Sequence, residues 1–297
     1  MPTFDTPHPI TVTVEIGVGD VRIAASERAD TVVEVIPTRT KHGDVMAAEQ
    51  TRVEYAAGRL LVKAPRSWRS WSPFGDGGSV DVTIAVPAGT QVNGEASVAA
   101  FHCAGPLGAC RIKSAVGDIE VQTTADAKLR TTAGDISVER ATGDVELSTG
   151  TGHVRAGRLE GTAVIKNSNG DTGVGEAIGD LRVNAANGDI DVERSRASLM
   201  LKTANGSIRL GASGPGGVEA QTAYGAVEVA IGEGTAAWLD LHTGYGHIHN
   251  ALDAADAPNP EESQVQVRAR TGMGDITIRR SRGAAASLDG TGLDAVA

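Results

Sequence analysis

One series of residues that could bind a metal ion is an aspartate that directly follows a glycine at regular intervals. Carboxylates stacked in this way could ligate Ca²⁺, as in β-rolls built from nonapeptide repeats. Those rolls use the motif Gly-Gly-x-Gly-x-Asp, which is absent here. We therefore predict that the aspartates cap turns and that the chain has no metal site. The series consists of Asp118, Asp135, Asp171, Asp189 and Asp275.

A second series is basic and comes four residues before the same glycines. Its side chains should point outward from one face of a sheet, because side chains alternate along a strand. They could form a track for an anion or an acidic polysaccharide, or a solvated face that protects a flat sheet from aggregation. We expect the solvated face. The series consists of Lys113, Arg130, Lys166, Lys202 and Arg270.

Three histidines fall within one short segment, HTGYGHIH, at His242, His247 and His249. Two histidines that alternate on a strand beside an acidic residue can bind zinc. No third ligand is fixed by the spacing, so we predict that these are surface histidines.

A loop rich in large aromatic residues is the strongest candidate for partner contact. Trp68, Arg69, Trp71 and Phe74 lie in the segment PRSWRSWSPFGDGGS, outside any repeat. Aromatic residues together with arginine are typical of binding hot spots. The loop could instead fold back over the N-terminal part of the chain. We treat these four residues as a possible partner-binding loop.

No catalytic motif is present. The Gly-x-Ser-x-Gly, Walker and zinc-protease patterns are all missing from the sequence. Outward carboxylates such as Asp189, Asp191 and Glu193 could serve a β-helical carbohydrate-active enzyme. Such enzymes usually have longer coils and aromatic sugar platforms. We predict that the protein is not an enzyme and uses no cofactor.

An internal repeat of about 18 residues must position all of these side chains. Its units align without a gap on one glycine, as in RIKSAVGDIEV over residues 111–121. Apolar residues alternate with polar ones on both sides of that glycine, which indicates two strands separated by a turn. The structural turn glycines are Gly117, Gly134, Gly152, Gly170, Gly188, Gly206, Gly225, Gly246 and Gly274.

Two strands and two corners per unit predict an all-β, single-domain parallel β-solenoid (β-helix). A tenth unit has Ala99 at the glycine position, so we expect about ten 18-residue coils, each paired in register with the next. The corner glycine should have a positive φ. A ladder of small hydroxyl side chains three residues earlier should satisfy the turn backbone. Cys103 and Cys110 fall at inward positions and should be buried.

Composition and charge restrict the partners. The formal charge is -10 at pH 7, which opposes nucleic-acid binding. The chain has no run of apolar residues long enough to span a membrane, and its N-terminus has no signal-peptide pattern. We therefore expect a cytoplasmic protein that binds an unknown protein or glycan and that could self-associate through its coil ends.

The regularity of the repeat varies along the chain. We predict an irregular N-terminal β cap with strands continuous with the solenoid over residues 1–90, β-solenoid repeats over 91–280, and a disordered tail over 281–297. The segment DAADAPNPEESQ, residues 253–264, should be a polar excursion from the last coil.

The VPAG hinge (residues 86–89) followed by repeated T-x-x-G-D-[IV]-x-[IV] resembles the bacterial putative-adhesin family, domain of unknown function 4097. The likeness covers nearly the whole chain. It implies a solenoid of repeated β-strands without established catalytic residues. Our leading hypothesis is a non-catalytic scaffold or binding module that resembles adhesins. The alternatives are a self-assembling structural protein, in which coil ends stack into filaments, and a β-helical carbohydrate-active enzyme.

Overall fold

The structure is a computed structural model that describes residues 1–65, 78–252 and 263–281. Within these residues the chain forms 25 β-strands and one helix, α1 (His42–Gln50), which the repeat did not predict. The elements before the regular repeats are β1 (Thr3–Asp5), β2 (Thr11–Ser26), β3 (Asp30–Pro37), β4 (Arg52–Ala56), β5 (Arg59–Lys63), β6 (Ser79–Pro87) and β7 (Gln91–Leu107).

The regular repeats contribute two short strands per unit, one on each side of the anchoring glycine. The strands before the glycine are β8 (Cys110–Val116), β10 (Ala127–Ala133), β12 (Val145–Thr151), β14 (Ala163–Asn169), β16 (Leu181–Asn187), β18 (Leu199–Asn205), β20 (Gly216–Tyr224), β22 (Thr235–Tyr245) and β24 (Ser263–Met273). The strands after it are β9 (Ile119–Thr124), β11 (Ile136–Ala141), β13 (Val154–Leu159), β15 (Thr172–Ala177), β17 (Ile190–Ser195), β19 (Ile208–Ser213), β21 (Val227–Ile231), β23 (Ile248–Asn250) and β25 (Ile276–Arg280).

The predicted parallel β-solenoid is confirmed. Within the regular repeats, strands before the glycine pair with one another in sheet 1 and strands after it pair with one another in sheet 2. The long strand β7 contributes to both sheets, since it pairs with β8 and with β9. Pairing is parallel and in register, so Leu129 lies beside Ile112 on one side and Leu147 on the other. Each side chain therefore stacks on its counterpart in the neighbouring coil.

Inward side chains form continuous ladders between the two sheets. Ile112, Leu129 and Leu147 form one in sheet 1, and each is at most 2% exposed. Burying a side chain of this size contributes roughly 1.5 to 3 kcal/mol, but a coil can bury it only against its neighbours. Cys103 and Cys110 are free and buried in this core. Phe101 is the one aromatic side chain among the buried hydrophobic residues that the structure describes.

Residues 11–87 add two further coils beyond those that the repeat predicted. β2 turns a corner at Gly19, which has φ of +149°, and so makes a coil by itself. It pairs in parallel with β7 on one side and with β5 and β6 on the other. The antiparallel strands β3 and β4 then cover the outer edges of β6 and β5. This end of the solenoid is capped.

The C-terminal coils do not stack in chain order. β24 and β25 pair on one side with β20 and β21, and on the other side with β22 and β23. The expectation that every coil pairs with the next one in the sequence is therefore wrong here. The chain passes over one coil position, forms the outermost coil, and returns to fill the gap. Most of the excursion predicted over 253–264 lies outside the described residues.

Twelve coils stack within the part of the chain that the structure describes. From the capped end their order is β5/β6, β2, β7, β8/β9, β10/β11, β12/β13, β14/β15, β16/β17, β18/β19, β20/β21, β24/β25 and β22/β23.

Candidate binding face

The corner glycines are required by both conformation and space. All nine anchoring glycines have φ between +130° and +155°. A Cβ atom built on Gly188 would lie 2.2 Å from the carbonyl oxygen of Gly170 in the adjacent coil. Since real Cβ atoms do not approach an oxygen so closely, Gly188 cannot gain a side chain while its corner stays stacked on the neighbouring coil.

The aspartate after the glycine caps the corner of the neighbouring coil. Oδ1 of Asp118 accepts the backbone N–H of Asp135 at 2.8 Å, and Oδ1 of Asp189 accepts that of Ser207 at 2.8 Å. At the other corner, Oδ1 of Asp126 accepts the N–H of Asp144 at 3.0 Å. The carboxylates thus satisfy turn amides between coils. No group of acidic, histidine or cysteine side chains suited to a metal ion occurs in the described residues.

The side chains of the hydroxyl ladder donate hydrogen bonds to backbone carbonyl oxygens at the corners. The expected partners within the turn backbone were amide groups. Thr149 donates to the carbonyl of Gly134 at 2.9 Å, and Thr271 donates to that of Gly225 at 2.9 Å. Ala185 interrupts the ladder and cannot serve Gly170. The Asn167 amide serves it instead, because its Nδ2 donates at 2.8 Å to Gly170 and at 3.1 Å to Gly152.

The outer face of sheet 1 carries the basic residues that the spacing singled out. They share one column with polar residues from the intervening coils, and we call this the basic column. Its members face away from the core, and adjacent members are paired in register. In spatial order the basic column is Lys113, Arg130, Ser148, Lys166, Asn184, Lys202, Gln221, Arg270 and His242.

Carboxylates in the next column of sheet 1 partly neutralise these cations. Lys202 lies 2.8 Å from Glu219, while Lys166 lies 3.7 Å from Glu146. The hydrogen bond from Lys202 lowers the pKa of Glu219 below its ordinary value, so this carboxylate is charged at neutral pH. Lys113 and Arg130 have no ion pair within the described part of the chain. The face keeps a positive excess although the whole protein is negative.

The outer face of sheet 2 has a shallow depression of about 770 Å³. Its floor lacks side chains at Gly157, Gly173 and Gly175. The carboxylates Asp189, Asp191 and Glu193, which sequence reasoning considered for an enzyme, line one side. Arg209 lies 3.7 Å from Asp189 and 3.6 Å from Asp191, and Asp189 also caps a corner. Two of the three carboxylates therefore already have structural partners.

The three histidines lie on the outermost coil. The rings of His247 and His249 stack with centroids 6.1 Å apart, whereas His242 ends the basic column on sheet 1. The backbone N–H of His247 donates to Asp275, and this hydrogen bond lowers the pKa of Asp275. All three histidines are exposed, as surface residues should be.

Exposed aromatic residues beside the basic column were missed by sequence reasoning. Tyr224 and Tyr245 flank Met273 in register, and the three side chains are 59%, 76% and 52% exposed. Each directly precedes an anchoring glycine, where other units carry Val, Ala, Thr or Asn, so the signal was present in the repeat. The predicted loop residues Trp68, Arg69, Trp71 and Phe74 lie outside the described residues.

A parallel β-solenoid with regular, exposed outer faces defines a repeat scaffold. The chain belongs to the Toastrack DUF4097 family, whose model matches residues 10–283. A comparison with curated proteins gave no match. Within the described residues, no helix has the length and apolar character needed to span a membrane.

Similar solved structures come from several bacteria. One is a "putative cell adhesion protein" from Clostridium sporogenes (11% identity, 94% of this chain and 98% of that chain covered, TM-score 0.22). Another is a "putative adhesin" from Bacteroides fragilis (14% identity, 93% and 96% covered, TM-score 0.39). A third is a "putative lipid binding protein" from Parabacteroides distasonis (11% identity, 95% and 96% covered, TM-score 0.29).

Proposed function

We propose that the protein is a non-catalytic binding module and that the outer face of sheet 1 is its binding surface. The basic column carries this proposal, because it gathers Lys113, Arg130, Lys166, Lys202 and Arg270 on one outer face of a chain with a net charge of -10. A local charge excess opposite to that of the whole protein attracts an oppositely charged partner and orients it. The partner is a protein or a glycan with an anionic surface.

The loop Trp68, Arg69, Trp71 and Phe74 remains a predicted second contact, on the ground of its composition. No cofactor and no nucleic acid belong to this proposal. Adhesin names among similar structures agree with a role in binding, although those names describe other proteins. The cytoplasmic location also remains a prediction.

Capture of partners with face-specific variants tests the proposal. The test variant carries Lys166→Gln, Lys202→Gln and Arg270→Gln on sheet 1. The matched control carries Arg155→Gln, Arg194→Gln and Arg209→Gln, which remove the same charge from exposed positions on sheet 2. We expect a partner recovered with the wild type to be lost with the test variant and kept with the control. Equal recovery with both variants would contradict the proposal.

Self-association is the second candidate function, and a specific feature of the outermost coil favours it. In the described residues no strand pairs with the outer edge of β22, which is 11 residues long. Leu239 and Leu241 are only half-buried there, and Ile248 is 44% exposed. An apolar edge strand is a ready site for pairing with another chain. The solution mass as a function of concentration tests this candidate.

A further inference from the structure

We infer that the part of the basic column from Lys166 to Arg270 binds a linear polysaccharide in which a sugar bearing a carboxylate alternates with an uncharged sugar. One disaccharide would lie along every two coils. This inference rests on the proposed function, because it names the chemistry of the partner for the same face.

The first argument is the period of the charges. Within the basic column, Lys166, Lys202 and Arg270 alternate with Asn184 and Gln221, one residue per coil. The exposed Arg182, on the same coil as Asn184, lies in the next column of this face. Since neighbouring strands lie about 4.8 Å apart, the three cations repeat at about 9.6 Å. In an extended β-linked glycan, each sugar advances the chain by close to one strand spacing. A carboxylate on every second sugar therefore meets a cation on every second coil.

The second argument is the chemistry between the cations. Ser148, Asn184 and Gln221 occupy the intervening coils, and none of these side chains makes a hydrogen bond to another described residue. Asn184 and Gln221 are also exposed. An amide or hydroxyl offers both a donor and an acceptor, which suits the hydroxyl groups of an uncharged sugar.

The third argument comes from the exposed rings at the end of the column. Tyr224 lies three residues after Gln221, and Tyr245 lies three residues after His242, with Met273 on the coil between the tyrosines. The two rings therefore also repeat every two coils, at about 9.6 Å. Rings supply rigid, amphipathic contact area at low entropic cost, which suits the apolar face of a sugar.

The carboxylates beside the column do not block such a ligand. Each of the three cations lies beside a carboxylate whose side chain is 34% to 40% exposed: Lys166–Glu146 and Arg270–Asp240 are 3.7 Å long, and Lys202–Glu219 is 2.8 Å long. Exposed ion pairs contribute only about 0 to 1 kcal/mol, so a ligand carboxylate can replace them at little cost.

Fluorescence anisotropy with labelled oligosaccharides of equal length tests the inference on the purified full chain. The probes are hyaluronan, with one carboxylate per disaccharide, alginate, with one per sugar, and an uncharged cello-oligosaccharide. We expect hyaluronan to bind at least about tenfold more tightly than the other two. Vesicles containing anionic lipid serve as a further probe, and binding to them in preference to hyaluronan would overturn the inference.

An exchange that preserves the net charge tests whether binding depends on the two-coil spacing of the cations or only on electrostatic attraction. Asn184→Lys with Lys202→Asn keeps the composition but breaks the two-coil spacing of the cations. We expect this exchange to weaken hyaluronan binding about tenfold, as should the Lys166→Gln, Lys202→Gln and Arg270→Gln variant. Tyr224→Ala with Tyr245→Ala should weaken it as well. The sheet 2 control variant, with Arg155, Arg194 and Arg209 changed to Gln, should bind as the wild type does.

The outcomes distinguish this inference from the proposed function. Equal binding of alginate and hyaluronan, or wild-type binding by the exchange variant, would show attraction without a matched period and would overturn the inference. If no oligosaccharide binds while the sheet 1 variant still loses a captured partner, the inference fails and the proposed function stands. The inference also implies that the protein encounters the polysaccharide outside the cytoplasm, which differs from the predicted location. Binding of the purified protein does not depend on location.

Discussion

At the scale of single residues, the corner glycines allow the sharpest test of the fold. Gly188→Ala places a Cβ 2.2 Å from the Gly170 carbonyl oxygen at φ of +132°, so the backbone of two coils must shift. We expect a loss of about 3 kcal/mol or more in the free energy of unfolding. Gly173→Ala is the matched control, because nothing lies within 4 Å of its added Cβ. It should change stability by less than about 0.5 kcal/mol in denaturant unfolding.

The two cysteines permit a second test at this scale. Both are buried, and burial raises the pKa of the Cys103 and Cys110 thiols. Because the thiolate is the reactive form, neither residue should react with a thiol reagent in the native protein at neutral pH. Both should react in denaturant. A rapid reaction of either thiol without denaturant would contradict the burial of these positions.

Residue types and spacing predicted the corner glycines and the inward cysteines because each depends on local structure. The glycines depend on the positive φ of a corner, and the cysteines on the alternation of side chains along a strand. The partners of the polar ladders depend on which coil lies next to which, and that contact is not local. The replacement of the missing hydroxyl at Ala185 by the amide of Asn167 is of this kind. It becomes visible only when two coils are stacked, since neither residue fits the ladder pattern alone.

At the scale of elements, the order of the last coils can be tested by cross-linking. Gln221→Cys with Arg270→Cys joins positions paired on β20 and β24, within the Cα distance that a disulfide allows. Gln221→Cys with His242→Cys joins positions two coils apart, at about 9.6 Å, and should not cross-link. Non-reducing electrophoresis after mild oxidation reads out both pairs. Stacking in chain order would reverse the two results.

This order could not be predicted from the repeat, because every unit fits every other. Parallel in-register pairing specifies on which face of its sheet each side chain lies, but it does not specify the order in which the coils stack. The only signal was the spacing of 28 residues between Gly246 and Gly274, which we interpreted as an excursion from the last coil. The strand β2 shows the same ambiguity at the other end. It fits the repeat through Gly19 and Asp20, yet the irregular spacing around it suggested only a cap.

At the scale of the whole molecule, charge is unevenly distributed over the surface of the solenoid. Sequence totals give a net charge of -10, but the basic column lies on one outer face and the capping aspartates lie along a corner. We expect the capping carboxylates to make the free energy of unfolding decrease as the pH is lowered. The pKa of Asp275 is lowered in the folded state, so its contribution is present at neutral pH and is lost as the pH falls through that lowered value.

The two ends of the solenoid differ in a way that predicts a closed dimer. Antiparallel β3 and β4 cover one end, whereas the edge of β22 has no partner among the described strands. Copies that pair through the edge of β22 alone join about a two-fold axis and do not grow into filaments. Sedimentation velocity should show a mass twice the 30.4 kDa of the chain.

Leu241→Lys, which places a charge at the inward face of the edge, should give monomers. The exposed neighbour offers the control His242→Lys, which should leave the dimer intact. A wild-type protein that stays monomeric at high concentration would show that this edge does not pair.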